Sequence, residues 1–274
     1  MRSPLNKRLF RELRGEFGKY LVIFILMTLT IGMVSGFLVA DGSMIQAYEE
    51  SFEKYNIENG HFRTEKKMNN AQIQDIEHLG IKLYENYYVE EALTNGSTMR
   101  IFKNRDEVNK VCLMKGKMPE KPGEIGIDRM YADNNDLSVG DEIESDGNTW
   151  KITGLVALSD YSALFSNNND SMFDSVKFGV SVVCPEEFDS YKADQLNYSY
   201  AWKYNTEPKN EKAEKDISED LMEDVAKEVT LEEFVPRYTN QAIIFTGDDM
   251  GGDRSMMIVL LYRSEEHTSE LQSH

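Results

Sequence analysis

The sequence predicts an α+β protein: an N-terminal membrane-crossing helix with a stalk extension, then a mixed α/β domain, then the start of a second crossing helix. Three observations carry this. Tyr20 to Ala40 is a run of 21 residues without a charge, and six Lys/Arg precede it. At 1.5 Å per residue such a helix measures about 31 Å, the thickness of a bilayer's hydrocarbon core. Between that run and a second apolar run opening at Ser255 (SMMIVLLY), short alternating segments rich in Val, Ile, Thr and aromatics alternate with charged helical stretches.

Taken in order, Leu5, Leu9, Phe10, Leu13 and Phe17 recur at helical spacing among Lys7, Arg8, Arg11 and Arg14. Residues 1–19 therefore read as a basic amphipathic helix on the cytoplasmic membrane face, with Gly15 and Gly18 supplying a bend. Residues 20–40 read as an anchor and not a signal peptide, because the apolar stretch is too long and no A-x-A site follows. Gly32 and Gly36 form a GxxxG step suited to close helix packing. Ile45, Tyr48, Phe52 and Tyr55 then continue at steps of three, four and three, so residues 41–57 extend the helix as a stalk with one sticky stripe. The stripe fits a coupling surface and equally a helix packed on its own domain.

Residues 58–253 read as the α+β domain. Strands are expected in HFRT, IKLYENYYVEEA, STMRIFK, KVCLMK, LSVGDEIES, NTWKITGLVAL, FGVSVVC and YSYAWKY, and QAIIFT as a last short strand. LSVGDEIES and NTWKITGLVAL pair across Asp146-Gly147, and Glu124 leads an alternating strand. Helices are expected over Asn70–Leu79 and over Asn210–Glu228, the latter burying Ala213, Ile217, Leu221 and Val225. Two lobes are expected, residues 61–165 with 230–245, and residues 166–229. The aromatics of YSYAWKY fit the core better than a partner surface. Residues 254–262 read as a crossing helix cut short. Residues 263–274 (RSEEHTSELQSH) read as a non-native tail, since eight apolar residues cannot cross a membrane.

The formal net charge is −18; removing +4 for residues 1–40 and −2 for residues 263–274 leaves −20 for residues 41–262. Basic residues stay cytoplasmic beside a spanning helix, so the N-terminus is inside and the acidic domain extracytoplasmic. That acidity argues against nucleic acid. Cys112 and Cys184 sit in apolar strand-like segments and read as free thiols, with pairing left open. No G-x-x-x-x-G-K-[ST] loop, G-x-S-x-G elbow or zinc-ligand spacing occurs, so no catalytic residue, cofactor or metal site is expected.

The basic helix, spanning segment and stalk (LNKRLFRELRGEFGKYLVIFILMTLTIGMVSGF), the core GKMPEKPGEIGIDRMYADNNDLSVGDEIESDGNTWKITGLV and the return SMMIVLLY together resemble the FtsX-like, MacB-type ABC transporter permeases. The resemblance implies a MacB-like periplasmic core domain and a multi-pass cell-membrane subunit of bacterial type. It implies an ABC ATPase partner subunit carrying the nucleotide site, a homo- or heterodimeric permease partner, and mechanotransmission through Ile45, Tyr48, Phe52 and Tyr55. The chain itself would not be an enzyme. Export, lipoprotein release and peptide resistance all fall within that family. Two other classes share the pattern: a membrane-anchored extracellular sensor domain of a signalling receptor, and an anchored structural protein.

Overall fold

The structure is a computed structural model and describes residues 14–249 and 252. Most of the basic helix over 1–19, the second apolar run over 254–262 and the tail over 263–274 lie outside the described residues. The chain divides into two units, residues 1–48 with 249–274 and residues 49–248.

Helix α1 (Phe17–Lys54) is 38 residues long, about 57 Å at 1.5 Å per residue. It is preceded by a bend at Glu16, between the two glycines the sequence singles out. By length and composition it can cross a membrane. Within and just beyond the apolar run the hydroxyls turn back on the helix: Thr30 Oγ1 donates to the Leu26 carbonyl at 2.9 Å and Ser43 Oγ to the Val39 carbonyl at 3.0 Å. These two hydroxyls are thus satisfied within the helix itself.

The unit over 49–248 opens with β1 (Gly60–Thr64), α2 (Asn70–Glu77), β2 (Ile81–Glu85), β3 (Tyr88–Ala92), β4 (Thr98–Lys103) and β5 (Val111–Gly116). It continues through β6 (Glu124–Asp128), α3 (Arg129–Asn134), β7 (Glu142–Glu144), β8 (Thr149–Leu158), β9 (Phe178–Val183), α4 (Pro185–Phe188), β10 (Tyr198–Tyr204), α5 (Glu211–Glu228) and β11 (Leu231–Pro236). Two sheets result. One is antiparallel with order β11-β1-β10-β2; the other is mixed, with order β3-β4-β9-β6-β8-β5 and β7 on β8. The fold is α+β behind a long apolar helix, as the sequence predicts.

Local chemistry sets the helix starts. Asn69 caps α2 through a reciprocal capping box with Gln72, and Asn210 caps α5, whose first turn carries Glu211 and Glu214. Helix α5 buries Ser218, Leu221 and Val225, while Ile217 is exposed, so its buried face is narrower than the spacing of apolar residues implies. β7 and β8 pair as expected, with Gly147 at φ +126° in the connecting turn.

Four expectations need correction. All five residues of β6 are buried, so the strand does not alternate: it lies between β8 (parallel) and β9 (antiparallel), with both faces covered. IKLYENYYVEEA is not one strand. It breaks at Asn86-Tyr87, and β2 and β3 join different sheets. QAIIFT is helical rather than extended: residues 241–249 form a helix in which Asn240 Oδ1 accepts from the Ala242 amide at 3.1 Å. The cap overrides the β-branched composition, and Phe245 packs edge-on against Phe165 and Phe173. Finally, the lobes do not divide at 165/166. The small sheet draws on residues 60–64, 81–85, 198–204 and 231–236, because β1 is flanked on both sides by late strands.

The core of the small sheet is aromatic. Trp202 and Phe234 stack at 4.7 Å and Phe62 stacks on Tyr200 at 5.6 Å, so YSYAWKY belongs to the interior. Gly60 makes room for this: a Cβ there would collide with the Trp202 indole and lie 2.7 Å from the Val235 carbonyl oxygen. Gly60→Ala should therefore destabilise the domain by about 1–3 kcal/mol or more. Gly147→Ala, where a Cβ meets nothing within 4 Å, should cost only the conformational penalty of about 1 kcal/mol. Denaturant midpoints of the two variants would check this ordering.

Candidate functional site at the helix-to-sheet junction

Helix α1 leads into five consecutive residues, Tyr55 to Asn59, that bond to both sheets. Phe52 lies under the Arg237 guanidinium, 5.2 Å from its ring centroid, and the Tyr55 hydroxyl donates to Cys112 Sγ at 3.2 Å. Asn56 takes the left-handed conformation (φ 49°) and ends the helix. Its side-chain amide donates to the Glu107 carbonyl at 2.8 Å, while the amides of Asn109 and Lys110 donate to the Asn56 and Tyr55 carbonyls at 3.1 and 2.9 Å. These bonds strap the segment leading into β5 onto the helix end.

The small sheet is held from the same residues. The Asn59 amide donates to the Trp202 carbonyl at 2.8 Å, Asn59 Oδ1 accepts from the Tyr204 amide at 3.1 Å, and the Asn59 carbonyl accepts from the Arg237 amide at 2.8 Å. Lys203 Nζ donates to the Ile57 carbonyl at 3.0 Å.

Between the two sets of bonds lies a buried charged network. Glu58 is 1% exposed; its Oε1 is 2.6 Å from His61 Nδ1 and its Oε2 accepts from Asn109 Nδ2 at 2.6 Å. Asn109 Oδ1 in turn accepts from the Glu58 amide at 2.9 Å. Asn109 Nδ2 also comes within 3.4 Å of Asp160 Oδ2, and Asp160 forms a two-pronged pair with Arg105 at 2.7 and 2.8 Å. Arg105 further donates to Asn86 Oδ1 at 2.9 Å and covers the Phe102 ring at 4.6 Å. Burial is the largest influence on the Glu58 carboxyl and pushes its pKa up, but the charge and hydrogen bond of His61 outweigh it and the net direction is down. Burial likewise pushes His61 down, yet the Glu58 carboxylate holds it above its ordinary value. Both shifts favour the ion-paired form, with Asn109 as the neutral bridge to the second pair.

Of the residues the sequence singles out, Phe52 and Tyr55 stand at this junction. Ile45 and Tyr48 belong to the other unit; all four are half-buried, while Met44, Gln46, Ala47, Glu49, Glu50, Glu53 and Lys54 are exposed. Gly32 and Gly36 are exposed, and a Cβ at either would meet nothing within 4 Å. Cys184 is a buried free thiol and Cys112 a half-buried one. Among the described residues no group of three His, Cys, Asp or Glu could hold a metal. Sequence periodicity does not mark Glu58, Asn59, Arg105, Asn109, Asp160 or Arg237. The one local signal was a polar pair, Glu58-Asn59, wedged between Ile57 and the tightly packed Gly60.

Three solved structures are similar to part of this chain. The periplasmic region of MacB from Actinobacillus actinomycetemcomitans is 11% identical, over 62% of this chain and 85% of that one, with a TM-score of 0.34. The extracellular domain of YknZ, a noncanonic ABC-type transporter from Gram-positive bacteria, is 8% identical over 61% and 92%, at 0.33. A putative lipoprotein from Bacillus anthracis is 12% identical over 64% and 96%, at 0.32. No family model and no curated protein matches the chain.

Two outcomes follow from the network. Asp160→Ala strands the Arg105 charge in the interior and should cost about 3–5 kcal/mol in denaturant unfolding, the usual cost of breaking a buried pair from one side. The His61–Glu58 pair should also shape the pH profile. The His61 contribution, from a raised folded pKa, is complete below its ordinary value of 6.5 and is lost as pH rises through the folded value. The Glu58 contribution, from a lowered folded pKa, is complete above 4.5 and is lost as pH falls through the folded value. Asp128, pushed up to about 6 chiefly by burial, adds a separate loss of stability as pH rises from 3.8 toward 6. His61→Gln leaves that slope in place. The difference in thermal midpoint between wild type and His61→Gln should therefore be largest near pH 4.5–6.5 and shrink on the alkaline side; scans from about pH 4 to 9 would read it.

Proposed function

We propose that the chain is a permease subunit of an FtsX/MacB-type ABC transporter, in which a partner ATPase drives motion of the α+β domain through helix α1. The observation that carries this reading is that one helix, Phe17–Lys54, contains the charge-free run Tyr20–Ala40 and runs without a break in the chain into Tyr55 to Asn59, the residues that bond to the sheets. The three sequence segments that resemble the permeases support it, as does the six-to-two excess of basic over acidic residues in positions 1–40. A mechanical role suits a junction in which five residues, Tyr55 to Asn59, reach both sheets. Any rotation of that segment must shift the β5 lead-in together with β10 and the start of the segment after β11, to which it is bonded. The domain stands outside the cytoplasm in this reading, the N-terminus inside, and neither catalysis nor cofactor is required of this chain.

The test is isolation of the tagged chain from its own cell membranes. A P-loop ATPase should copurify in stoichiometric amount. Adding ATP to that complex should alter protease cleavage in the loop over 166–170. Phe52→Asp, which removes the contact with Arg237, should leave copurification intact and abolish at least about 90% of the ATP-dependent change in cleavage. Recovery of a kinase or methyl-accepting module in place of the ATPase would reverse the reading in favour of a sensor.

A further inference from the structure

A cleft of about 170 Å³ lies beside the junction, between the two sheets, and the junction has no evident use for it. Its ionisable lining is balanced, with three basic groups, His61, Arg63 and Arg100, and three acidic ones, Glu90, Asp160 and Glu233. Most of the remaining lining is carboxamide and hydroxyl, including Asn167 on the exposed loop at its rim.

Several of these groups have bonding capacity left over. Arg63 Nε is buried without a hydrogen-bond partner among the described residues, its nearest carboxylate oxygen being Glu233 Oε2 at 3.7 Å. The rest of that guanidinium is held loosely, at 3.3 Å from Asn197 Oδ1 and 3.4 Å from Glu232 Oε2. A buried donor without an acceptor is costly, so an acceptor supplied by a ligand would be stabilising. His61 spends one ring nitrogen on Glu58, and its protonated ring keeps a second N–H. Arg100 donates to Glu90 through Nε and Nη2 at 2.9 and 2.7 Å, both to Oε1. Glu90 Oε2 is thus able to accept from a ligand cation.

We infer that this cleft binds a small zwitterion, a free α-amino acid, with its carboxylate toward Arg63 and His61 and its ammonium toward Glu90. Three arguments select that class. A ligand with net charge would leave one charge uncompensated among balanced neighbours, of which Arg100 and Asp160 are largely buried. A neutral sugar needs open aromatic faces, but the cleft's Tyr88 and Phe102 rings already carry guanidinium groups, Arg100 at 4.5 Å and Arg105 at 4.6 Å. The volume is below the 300–1,000 Å³ of drug-sized sites and equals that of about six liquid waters, room for about ten non-hydrogen atoms. Because His61 and Asp160 belong both to this cleft and to the junction network, occupancy would stiffen the tie between the sheets.

The experiment is calorimetric titration of the detergent-solubilised full chain near pH 6.5 with four probes: L-glutamine, L-glutamine amide, glutaramic acid and D-glucose. L-glutamine should bind saturably. The amide lacks the α-carboxylate and glutaramic acid lacks the ammonium, so each should bind at least about tenfold more weakly. Arg63→Met should weaken L-glutamine by a similar factor; if that variant does not fold, the comparison of trimmed probes carries the test on the wild-type chain. The inference is overturned if L-glutamine shows no binding up to about 10 mM, if glutaramic acid binds as well as L-glutamine, or if D-glucose binds better. None of these results depends on an ATPase partner, so they leave the permease reading to its own test.

Discussion

The architecture of the 49–248 unit depends on keeping two ionised pairs in its interior without stranding either. Glu58 and Asp160 are 1% and 5% exposed, and they come from opposite sheets' neighbourhoods, Glu58 just before β1 and Asp160 just after β8. Transferring such carboxylates out of water costs several kcal/mol each after relaxation. The cost is offset here because every partner is placed at once: His61 and Asn109 on Glu58, Arg105 on Asp160, and Asn109 between the two. A buried pair adds little net stability over an apolar substitute, but it is exacting about geometry. Two sheets joined by apolar contact alone could slide; the Glu58–Asn109 bond at 2.6 Å, from the residue before β1 to the lead-in of β5, cannot shift without leaving a buried charge unpaired.

The constraint explains the local backbone. Asn56 and Asn109 both have positive φ, 49° and 48°, a conformation in which Asn is tolerated far better than β-branched residues. Each is bent so that its side chain can reach across: Asn56 to the Glu107 carbonyl and Asn109 to Glu58. The strain is small and is met by bonds that no straight continuation of α1 could form. The same bend stops the helix where its stripe residues Phe52 and Tyr55 meet Arg237 and Cys112. Helix end, inter-sheet network and turn chemistry are therefore one feature seen at three scales.

Much of the fold was legible because it follows from periodicity and punctuation. The charge-free run, the Gly147 hairpin and the Asn-capped helices α2 and α5 are each written in a short stretch of chain. What was not legible depends on partners distant in sequence. β6 looked half-buried because its alternation cannot reveal that β8 and β9 arrive on both edges and that both faces are covered. QAIIFT has strand composition, and only the Asn240 cap and the Phe165–Phe173–Phe245 cluster make it helical. The junction was half-read. Phe52 and Tyr55 announce themselves by spacing, whereas Glu58, Arg105, Asn109 and Asp160 are isolated polar residues whose meaning exists only once separations of about fifty positions are closed.

The placement of polar groups also separates two kinds of paired charge in this domain. The Glu58 and Asp160 carboxylates are saturated: their oxygens are used by protein donors and they define one arrangement of the sheets. The Arg63 and Glu90 groups are not saturated, since Arg63 Nε lacks a hydrogen-bond partner among the described residues and both Arg100 bonds fall on one Glu90 oxygen. A group that only had to hold the fold would gain by completing its bonds, and nearby carboxamides such as Asn197 could serve. Arg105 Nε at the junction also lacks a hydrogen-bond partner among the described residues, so the contrast lies in the carboxylates: both oxygens of Glu58 and of Asp160 accept from protein donors, whereas Arg100 uses only one oxygen of Glu90. His61 belongs to both, bonded to Glu58 on one side and lining the cleft on the other. Its protonation is set by the saturated pair, so the charge it presents to the cleft is fixed by the same carboxylate that fixes the fold.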